Sequence, residues 1–461
     1  MKHLTPRIIA KITNGEYVGD ESASNLNVQG AARDDSDVKS GNLFVCIKGK
    51  NVDGHSFANA AFESGAVCCL AEKEIKDAKG PYVLVPSTLD AIKILAAYYR
   101  SLFDIPFVGI TGSVGKTSSK EIISAVLSER YNTLRTKGNL NNEIGVPLTL
   151  LSLDETHEAA VIEMGISNFG DMSRLAQMVR PNIFVMTKIG HSHLDMLSDL
   201  KGVLEAKTEA FHYMKSDGIA VLNGDDELLK SYEPGMKKYL FGLGEDNDIC
   251  ISNIKKDGTN SITCDVRAGD SAIVKAPCNF EVTIPTYGSH ITELMGSAVA
   301  VGLLLDLTAN EITRGFANYK PVDGRSNIID TGKIKIINDC YNANPTSVKA
   351  ALTSLSELRL RKVAILGDML DMGMHSEELH HEVGGLARNA GIDCLICVGI
   401  KASDIFKGYM PTNSDTAYYY ETKEELIPML PNLINKNDAV LVKASNGMKF
   451  SEIVEALREI K

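Results

Sequence analysis

The sequence predicts an α/β protein of three domains, chiefly because apolar strand-like runs alternate repeatedly with helical segments. Over about residues 105–322 the runs PFVGIT, AAVIEMG, NIFVMTKIG and GIAVLNGDD are separated by helical patterns. This alternation is typical of a mostly parallel sheet covered by helices. After about residue 325 it restarts with KIKIIND, KVAILGD, CLICVG and AVLVKAS, which predicts a second open α/β sheet. The chain length of 461 residues suits about three domains.

The first domain is expected over residues 1–104, where the sequence has short strand-like pieces (NLFVCIKG, AVCCLA and YVLVP) and a helical segment near residues 90–102. The central domain is expected over residues 105–322 and the third over residues 323–461. In open α/β sheets, ligands bind beyond the carboxyl ends of the strands, so the polar residues that close each run are the first site candidates. These residues are Thr111, Glu163, Thr187, Asn223, Asp339, Asp368 and Lys443.

The net charge of −11 argues against a nucleic-acid-binding protein, because it offers no basic surface for a phosphate backbone. The N-terminus has no apolar signal segment, and the longest apolar run, residues 295–307, is too short and too interrupted to span a bilayer. We therefore expect a cytoplasmic protein that acts on small molecules without membrane insertion. We also expect it to be a monomer.

The cysteine pattern does not resemble a disulfide framework, since nine cysteines are scattered over a long chain. Cys394 and Cys397 form a CxxC, but both lie in the apolar run CLICVG, and the sequence has no second CxxC for zinc. We expect structural thiols in a buried strand.

The segment FVGITGSVGKTSSKE at residues 107–121 predicts a strand, a glycine-rich phosphate-binding loop and a helix. Its glycines allow a tight turn whose N–H groups point inward, and the following helix adds its positive dipole end. Lys116 would reach the terminal phosphates, and Thr117 would offer its hydroxyl to Mg²⁺. Ile110 stands where the strict motif has glycine, so the loop is a T-G-x-x-G-K-T variant. The predicted nucleotide-binding residues here are Thr111, Gly112, Ser113, Gly115, Lys116 and Thr117.

Glu163 ends the apolar run AAVIE, where its carboxylate could complete a Mg²⁺ site with Thr117. The alternative is a helix-capping or surface glutamate. Further on, His191 and His193 in TKIGHSHLDML would point to the same side if the backbone is extended. His193 is then either a metal ligand or an ordinary polar residue near a strand end.

Lys207 lies on the apolar stripe of a predicted helix, at helical spacing from Leu200, Val203, Leu204 and Phe211. Burial lowers the pKa of an ammonium, so such a lysine is either paired with a carboxylate or held partly neutral. A neutral lysine can take up CO₂ to form a carbamate, which offers two oxygens to a metal. The alternative is a lysine that extends its charged end to solvent.

Three polar loops adjoin strand ends: KGNLNNEIGVPL, the pair Gly324–Arg325, and NDCYNANPTS. Loops of this kind are often simple turns, but together they indicate recognition of a polar ligand. The substrate-binding candidates that they supply are Asn139, Asn142, Tyr341, Asn342 and Asn344.

Taken in chain order, these motifs resemble the Mur ligases, ATP-dependent enzymes of peptidoglycan precursor assembly. The resemblance covers essentially the whole chain. It rests on SGNLFVCIKGKNVDGHSFANAAFESGA, GITGSVGKTSSKE, TKGNLNNEIGVPLTLL, EMGISNFGDM, HLDMLSDLKGVLEAKTEAF, NGDD, GR, DCYNANPTSVKAAL and LGDMLDMG. Within the family, GNLNNEIGVP and CYNANPTS resemble the members that add D-alanyl-D-alanine.

The resemblance implies a UDP-sugar-binding N-terminal domain, a central P-loop ATPase and a C-terminal Rossmann-like domain that brings the incoming amine. It implies an amide ligase that uses ATP and Mg²⁺ to join D-alanyl-D-alanine to UDP-N-acetylmuramoyl-tripeptide through an acyl phosphate. The implied catalytic residues are Lys116, His193, Lys207 and Arg325. The implied metal ligands are Thr117, Glu163, His193 and a carbamylated Lys207, and the nucleotide contacts outside the phosphate loop are Asn223, Arg325 and Asp339.

The chain departs from the family pattern at three places. The uridine-side DSR motif reads Asp34, Asp35 and Ser36; GxHNxxNxxAA reads GSHITELMGSA, which keeps His290 and lacks both asparagines; and KGSR reads KASN from Lys443. These departures leave open a paralogue with other substrates, including one of folyl-polyglutamate type, although CYNANPTS argues against folate. They also leave open an ATP-binding regulator without ligase activity.

Overall fold

The computed structural model describes residues 1, 3–49, 52–269, 278–409 and 416–460. Within these ranges the chain forms three α/β domains, each built on its own sheet, which confirms the predicted fold class. The boundaries at residues 104/105 and 322/323 stay predictions. Lys50 and Asn51 of the N-terminal motif lie outside the described residues.

The N-terminal sheet has the strand order β1-β5-β4-β3-β2, with β1 antiparallel to β5 and the other pairs parallel. Its strands are β1 Glu16–Val18, β2 Gly30–Ala32, β3 Asn42–Val45, β4 Cys68–Ala71 and β5 Tyr82–Leu84, and its helices are α1 Pro6–Thr13, α2 Ala58–Glu63 and α3 Thr88–Ser101. The strand-like pieces predicted from the sequence coincide with β3, β4 and β5.

The central sheet has the order β14-β13-β12-β11-β10-β9-β6-β8-β7. The strands are β6 Phe107–Thr111, β7 Thr133–Arg135, β8 Ala159–Glu163, β9 Ile183–Met186, β10 Ile219–Asn223, β11 Lys237–Gly242, β12 Ile249–Asp257, β13 Ser261–Ala268 and β14 Cys278–Ile284. The helices are α4 Lys116–Leu127, α5 Gly145–Leu150, α6 Asp171–Val179, α7 Leu194–Leu197, α8 Leu200–Thr208, α9 Glu227–Ser231, α10 His290–Leu304 and α11 Ala309–Ala317.

The part of the sheet from β7 to β12 is parallel, as the alternation predicted, and β12, β13 and β14 form an antiparallel extension. The sequence interpretation did not identify β7 or β11 to β14. The period-two pattern of β13 was the available signal, because Ile262, Cys264, Val266 and Ala268 are buried and alternate with partly exposed residues.

The C-terminal sheet has the order β15-β16-β20-β17-β18-β19, parallel except for the pair β15–β16. Its strands are β15 Asn327–Asp330, β16 Lys335–Asn338, β17 Arg361–Gly367, β18 Cys394–Val398, β19 Ala417–Tyr420 and β20 Asp438–Lys443; its helices are α12 Pro345–Ser356, α13 Ser376–Asn389, α14 Ala402–Tyr409, α15 Lys423–Leu426, α16 Leu430–Leu433 and α17 Ser451–Arg458. Cys394 and Cys397 are free thiols in the buried strand β18, as expected.

Helix α3 joins the first domain to the central one. The Tyr99 hydroxyl donates to the Leu153 carbonyl at 2.9 Å, and the Arg100 guanidinium lies 3.7 Å from the centre of the Phe107 ring. Because Phe107 begins β6, this contact fixes the first domain next to the strand that leads into the phosphate loop.

Helix α12 joins the third domain to the central one. The Ser354 carbonyl accepts a hydrogen bond from the Tyr287 hydroxyl, and the Ser354 hydroxyl accepts one from the Ser289 N–H at 3.2 Å. These contacts hold the third domain against the central one. In the described part of the chain, no helix is long and apolar enough to cross a membrane.

Candidate active site

The loop between β6 and α4 has the geometry of a phosphate-binding loop. Gly115 precedes α4 with φ of 85°, a left-handed conformation that glycine adopts without steric cost. Lys116 begins the helix, and its Nζ donates to the Gly112 carbonyl at 2.7 Å. The Ser113 hydroxyl donates to the Gly190 carbonyl at 2.9 Å and ties the loop to the segment after β9. The N–H groups at the start of α4 are therefore held ready for an anion.

Lys116 lines the cavity at this loop, and its pKa is lowered from the ordinary lysine value, mainly by burial and also by the charge of Arg325. The carboxylate of Glu163 acts in the opposite direction. A lysine in these surroundings gains most from an added anion, since a bound phosphate would offset the desolvation of its ammonium.

Glu163 is fully buried at the end of β8 and faces the start of α4. Its Oε1 accepts from the Thr117 hydroxyl at 3.1 Å and from the Asn141 amide at 2.8 Å. Its Oε2 is buried and, among the described residues, has no hydrogen-bond partner. A buried carboxylate oxygen without a hydrogen bond is costly unless a ligand satisfies it, and the complete burial of Glu163 excludes the surface or capping role.

This arrangement fits a hard cation. The Thr117 hydroxyl and the free Glu163 oxygen are ligands of the type that Mg²⁺ prefers, and they lie beside the anion-binding start of α4. Within the described ranges, no group of three or more His, Cys, Asp or Glu side chains is placed to hold a metal. Phosphate oxygens and water could complete such a site.

Replacing Glu163 with glutamine should raise the Mg²⁺ concentration needed for half-maximal turnover by about tenfold or more, because one anionic oxygen ligand is lost. The measurement is a Mg²⁺ titration of ATP turnover at saturating ATP. Glu129→Gln, which removes a carboxylate paired with Arg314 elsewhere in the central domain, is the matched control. An unchanged Mg²⁺ requirement in Glu163→Gln would make Glu163 structural.

His193 lines the same cavity and has a left-handed backbone, with φ of 53°. Burial lowers the pKa of His193, and the charges of Lys116 and Lys207 lower it further. A neutral imidazole is the form that binds metals. The sequence interpretation placed His191 on the same side, but the chain is not extended at His193, and His191 lines a neighbouring cavity of about 750 Å³ instead.

Lys207 lies in α8 and is 2% exposed, which confirms the predicted burial. Burial lowers its pKa well below 10.5, and the charge of Lys116 acts in the same direction. Among the described residues no carboxylate forms an ion pair with Lys207, so of the alternatives left open by the sequence the structure favours a neutral amine. The helix ends at Thr208, and Phe211 lies in a following 3₁₀ turn.

The third domain contributes a preformed arginine. The Arg325 guanidinium lies 3.8 Å from the centre of the Tyr341 ring, which restricts its rotamers. Asp339 accepts from the Ser326 N–H at 3.1 Å and from the buried Lys443 ammonium at 2.6 Å. These contacts fix the loop that carries Arg325.

The phosphate loop and the third domain line one cavity of about 320 Å³, within the size range of small-molecule sites. Of the residues predicted from the sequence, it brings together Ser113, Gly115, Lys116, Asn142, Glu163, His193, Arg325, Asp339, Tyr341, Asn342 and Asn344. A phosphate held by the loop would therefore meet positive charge from both domains.

Other predicted residues do not line this cavity. The Thr117 hydroxyl donates a hydrogen bond to Glu163, which does line the cavity. Lys207 is buried, close enough to Lys116 for the two charges to interact. The Asn223 amide donates to the Thr187 carbonyl and accepts from the Asp225 N–H, so it joins strand ends. The remaining candidates outside the lining are Thr111, Gly112, Asn139, Thr187 and Asp368.

Two of the predicted asparagines at the cavity have structural bonds. Asn142 accepts from the Gly145 N–H at the start of α5, and Asn344 caps α12 by accepting from the Ser347 N–H. The sequence interpretation missed Asn141, whose amide donates to Glu163. Which side chain of the run from Asn139 to Asn142 turns towards Glu163 depends on the loop backbone, and the sequence does not show it.

The departures from the family pattern have a clear structural context. Ile291 and Leu294 occupy the asparagine positions; both are buried, and Leu294 lies against Gly115 of the phosphate loop. In the first domain, residues 35–37 form a 3₁₀ turn, and Arg33 donates to Asp34 at 3.2 Å. Lys443 lines the cavity and donates to Asp339. The family asparagines are thus replaced by apolar packing beneath the phosphate loop.

Comparison with known proteins gives matches that extend over nearly the whole chain. Three family models match the chain: the Mur ligase family catalytic domain over residues 32–100, the Mur ligase middle domain over 110–301, and the glutamate ligase domain of Mur ligases over 324–446. The UDP-N-acetylmuramoyl-tripeptide–D-alanyl-D-alanine ligase of Bacillus subtilis is 34% identical over 99% of this chain and 98% of its own length.

Solved structures show the same architecture. A crystal structure of MurF from Acinetobacter baumannii aligns with a TM-score of 0.87 at 27% identity, over 99% of this chain and 98% of the other. The MurF ligase of Thermotoga maritima in complex with ADP aligns with a TM-score of 0.82 at 27% identity, over 94% and 98%.

Proposed function

The chain belongs to the Mur ligase family, and we propose that it is the member that joins D-alanyl-D-alanine to UDP-N-acetylmuramoyl-tripeptide at the expense of ATP. The observation that carries the proposal is the single cavity lined by Lys116 and Glu163 on one side and by Arg325 and Asp339 on the other. An ATP-dependent ligase needs charged residues on both sides of its site, because a phosphoryl group is transferred there from a nucleotide to a second substrate.

In the first step the tripeptide carboxylate attacks the γ-phosphorus of ATP, the bond to the ADP oxygen breaks, and an acyl phosphate forms. Lys116, the N–H groups at the start of α4 and Arg325 neutralise charge on the transferred group. Mg²⁺, held by Thr117 and Glu163, would supply a Lewis acid for the phosphate oxygens. The phosphate loop itself is held in place by the hydrogen bond from the Ser113 hydroxyl to the Gly190 carbonyl.

In the second step the amine of D-alanyl-D-alanine attacks the acyl carbonyl, phosphate leaves, and the amine loses a proton to form the amide. An acyl phosphate would hydrolyse in water, so the site must be covered by protein. The loop of Tyr341 and Asn342 and the start of α12 line the same cavity as the phosphate loop and could provide this cover. We propose that the polar groups of this loop bind the dipeptide.

The test of substrate choice is phosphate release on mixing the protein with ATP, Mg²⁺, a UDP-muramoyl peptide and an amine. Release should require both the UDP-muramoyl-tripeptide and D-alanyl-D-alanine. Free D-alanine, diaminopimelate, lysine and glutamate should each fail to replace the dipeptide. Turnover with one of these amines would favour a paralogue with other substrates. No turnover with any muramoyl peptide at millimolar ATP would favour a regulator that binds ATP without ligase activity.

The residues that replace the family arginine and asparagines should affect affinity and leave the choice of substrate unchanged. Each buried hydrogen bond left unmade costs about 1 to 3 kcal/mol, or about five- to 150-fold in a dissociation constant. We therefore expect weak binding of ATP and the UDP-sugar to accompany strict selection of the dipeptide. Cytoplasmic location and a monomeric state stay predictions.

A further inference from the structure

Lys120 is a second lysine in α4 whose surroundings do not match an ordinary helix surface. Its side chain is fully buried. Its Nζ lies 2.9 Å from the Thr136 carbonyl, 2.9 Å from Glu121 Oε1 and 3.4 Å from the Gly138 carbonyl. The ammonium therefore donates two hydrogen bonds to carbonyls and pairs its charge with Glu121, which lowers the cost of burying a lysine.

The same ammonium lies next to the candidate metal ligand. Lys120 Nζ is 3.8 Å from Glu163 Oε2, too far for a hydrogen bond but close enough for strong attraction in a buried site. Thr117, one helical turn earlier on α4, contacts the other oxygen, Oε1. One face of α4 thus contacts both carboxylate oxygens, by a hydroxyl on one side and by a charge on the other.

The carbonyls that Lys120 holds belong to the beginning of the loop of residues 136–142. The Thr136 hydroxyl accepts from the Glu163 N–H at 3.0 Å. At the other end of this loop, the Asn141 amide donates to Glu163 Oε1, and the Asn141 carbonyl accepts from the Gly165 N–H at 2.8 Å. Lys120 therefore anchors a loop that contacts Glu163 at both its beginning and its end.

We propose that Lys120 is a positioning residue that fixes the loop of residues 136–142 and the Glu163 carboxylate against the phosphate-binding helix. It orients Glu163 so that Oε1 is taken by Thr117 and Asn141 while Oε2 remains free for a divalent cation. This inference rests on the proposed nucleotide and metal site, and it does not depend on which amine or acyl group the enzyme uses.

The test compares the full-length wild-type protein with Lys120→Met and Lys120→Arg. Lys120→Met keeps the aliphatic stem and removes the charge. Arg135→Met is the matched control, since Arg135 pairs with Glu121 at 3.0 Å in the same ion-pair network but is half exposed and does not contact the loop carbonyls or Glu163. Thermal unfolding checks that each variant is folded.

The first readout is the affinity of Mn²⁺ for the protein–ADP complex, followed by electron paramagnetic resonance without turnover. Lys120→Met should weaken Mn²⁺ binding by about 10- to 100-fold, as expected when a metal ligand loses its supporting partners. The second readout is amide hydrogen exchange over residues 136–142, which should become faster in Lys120→Met. Lys120→Arg should recover part of the Mn²⁺ affinity, and Arg135→Met should match wild type in both measurements.

Mn²⁺ affinity within twofold of wild type, together with unchanged exchange in folded Lys120→Met, would overturn the proposal. If that variant does not fold, Asn141→Ala is the variant that tests the proposal. It removes the amide contact between the loop and Glu163, and the Asn141 side chain is partly exposed, so the change should not prevent folding. It should weaken Mn²⁺ binding and speed exchange, and wild-type behaviour in both would overturn the proposal equally. These assays use no muramoyl peptide or dipeptide, so failure of the ligase assignment would not change their outcome.

Discussion

Replacing Lys116 with alanine should abolish ATP turnover while the protein stays folded. Lys116 begins α4, and its Nζ can move from the Gly112 carbonyl to the phosphates of a bound nucleotide. Loss of one preorganised charged donor at a transferring group lowers kcat by about 10²- to 10³-fold. The measurement is phosphate release at saturating ATP and substrates, alongside the thermal unfolding curve.

The fold should tolerate this change for a physical reason. Among the described residues, the Lys116 ammonium donates one hydrogen bond, to the Gly112 carbonyl. Burial of this ammonium lowers its pKa, so it is costly to keep charged in the folded protein. Its removal should change the free energy of unfolding by about 1 kcal/mol or less. Lys230→Ala, at an exposed lysine paired with Asp246, is the control for loss of charge in the same domain. A folded Lys116→Ala protein with normal turnover would contradict the phosphate-loop assignment.

The phosphate loop could be predicted because its determinants are local. Gly115 and Lys116 are adjacent in sequence, and the turn between a strand and a helix fixes where both point. Glu163 was found in a similar way, since the end of a parallel strand places its last side chain at the ligand edge of the sheet. In both cases a few neighbouring residues determine the geometry.

Other features depend on contacts between distant segments, and the sequence alone did not determine them. The cavity combines Arg325 and Asp339 with the phosphate loop only because α12 packs on the central domain. The direction of the His193 side chain depends on the left-handed backbone conformation of His193 itself, which the neighbouring sequence does not indicate. Lys120 could have been found, because it stands three and seven residues before the buried Ile123 and Leu127, the same helical spacing that singled out Lys207.

Lys207 should carry a carbamate in the active enzyme. Burial lowers the pKa of its amine well below 10.5, and among the described residues it has no carboxylate partner, so more of it than of an ordinary lysine is the neutral nucleophile that adds to CO₂. The carbon forms a bond to Nζ, one proton is released, and the resulting anion offsets the nearby charge of Lys116. The carbamate would add an anionic oxygen ligand for Mg²⁺ to the Glu163 carboxylate and the neutral Thr117 hydroxyl.

The measurement is the carbon nuclear magnetic resonance spectrum of protein equilibrated with ¹³C-bicarbonate at mildly alkaline pH. A carbamate signal should appear in wild type, disappear on acidification and be absent from Lys207→Met. That variant keeps the apolar stem, so it should fold, yet its turnover should fall by about 10²-fold or more because an anionic ligand for Mg²⁺ is lost. A bare ammonium paired with Asp or Glu in bicarbonate-treated protein would contradict the modification.

Stability gives an independent measurement of the same lysine. In the absence of CO₂ the unfolded chain binds the Lys207 proton at a higher pH than the folded protein does, because the folded pKa is lowered from 10.5. The free energy of unfolding should therefore fall as the pH decreases from 10.5 through the folded pKa, and no further loss from this group follows below it. Lys207→Met cannot bind this proton. The difference between its free energy of unfolding and that of wild type should therefore increase in favour of the variant as the pH falls across that window. Equal pH profiles of the two proteins in CO₂-free buffer would mean that Lys207 stays charged in the folded state, and the carbamate would then lose its physical basis.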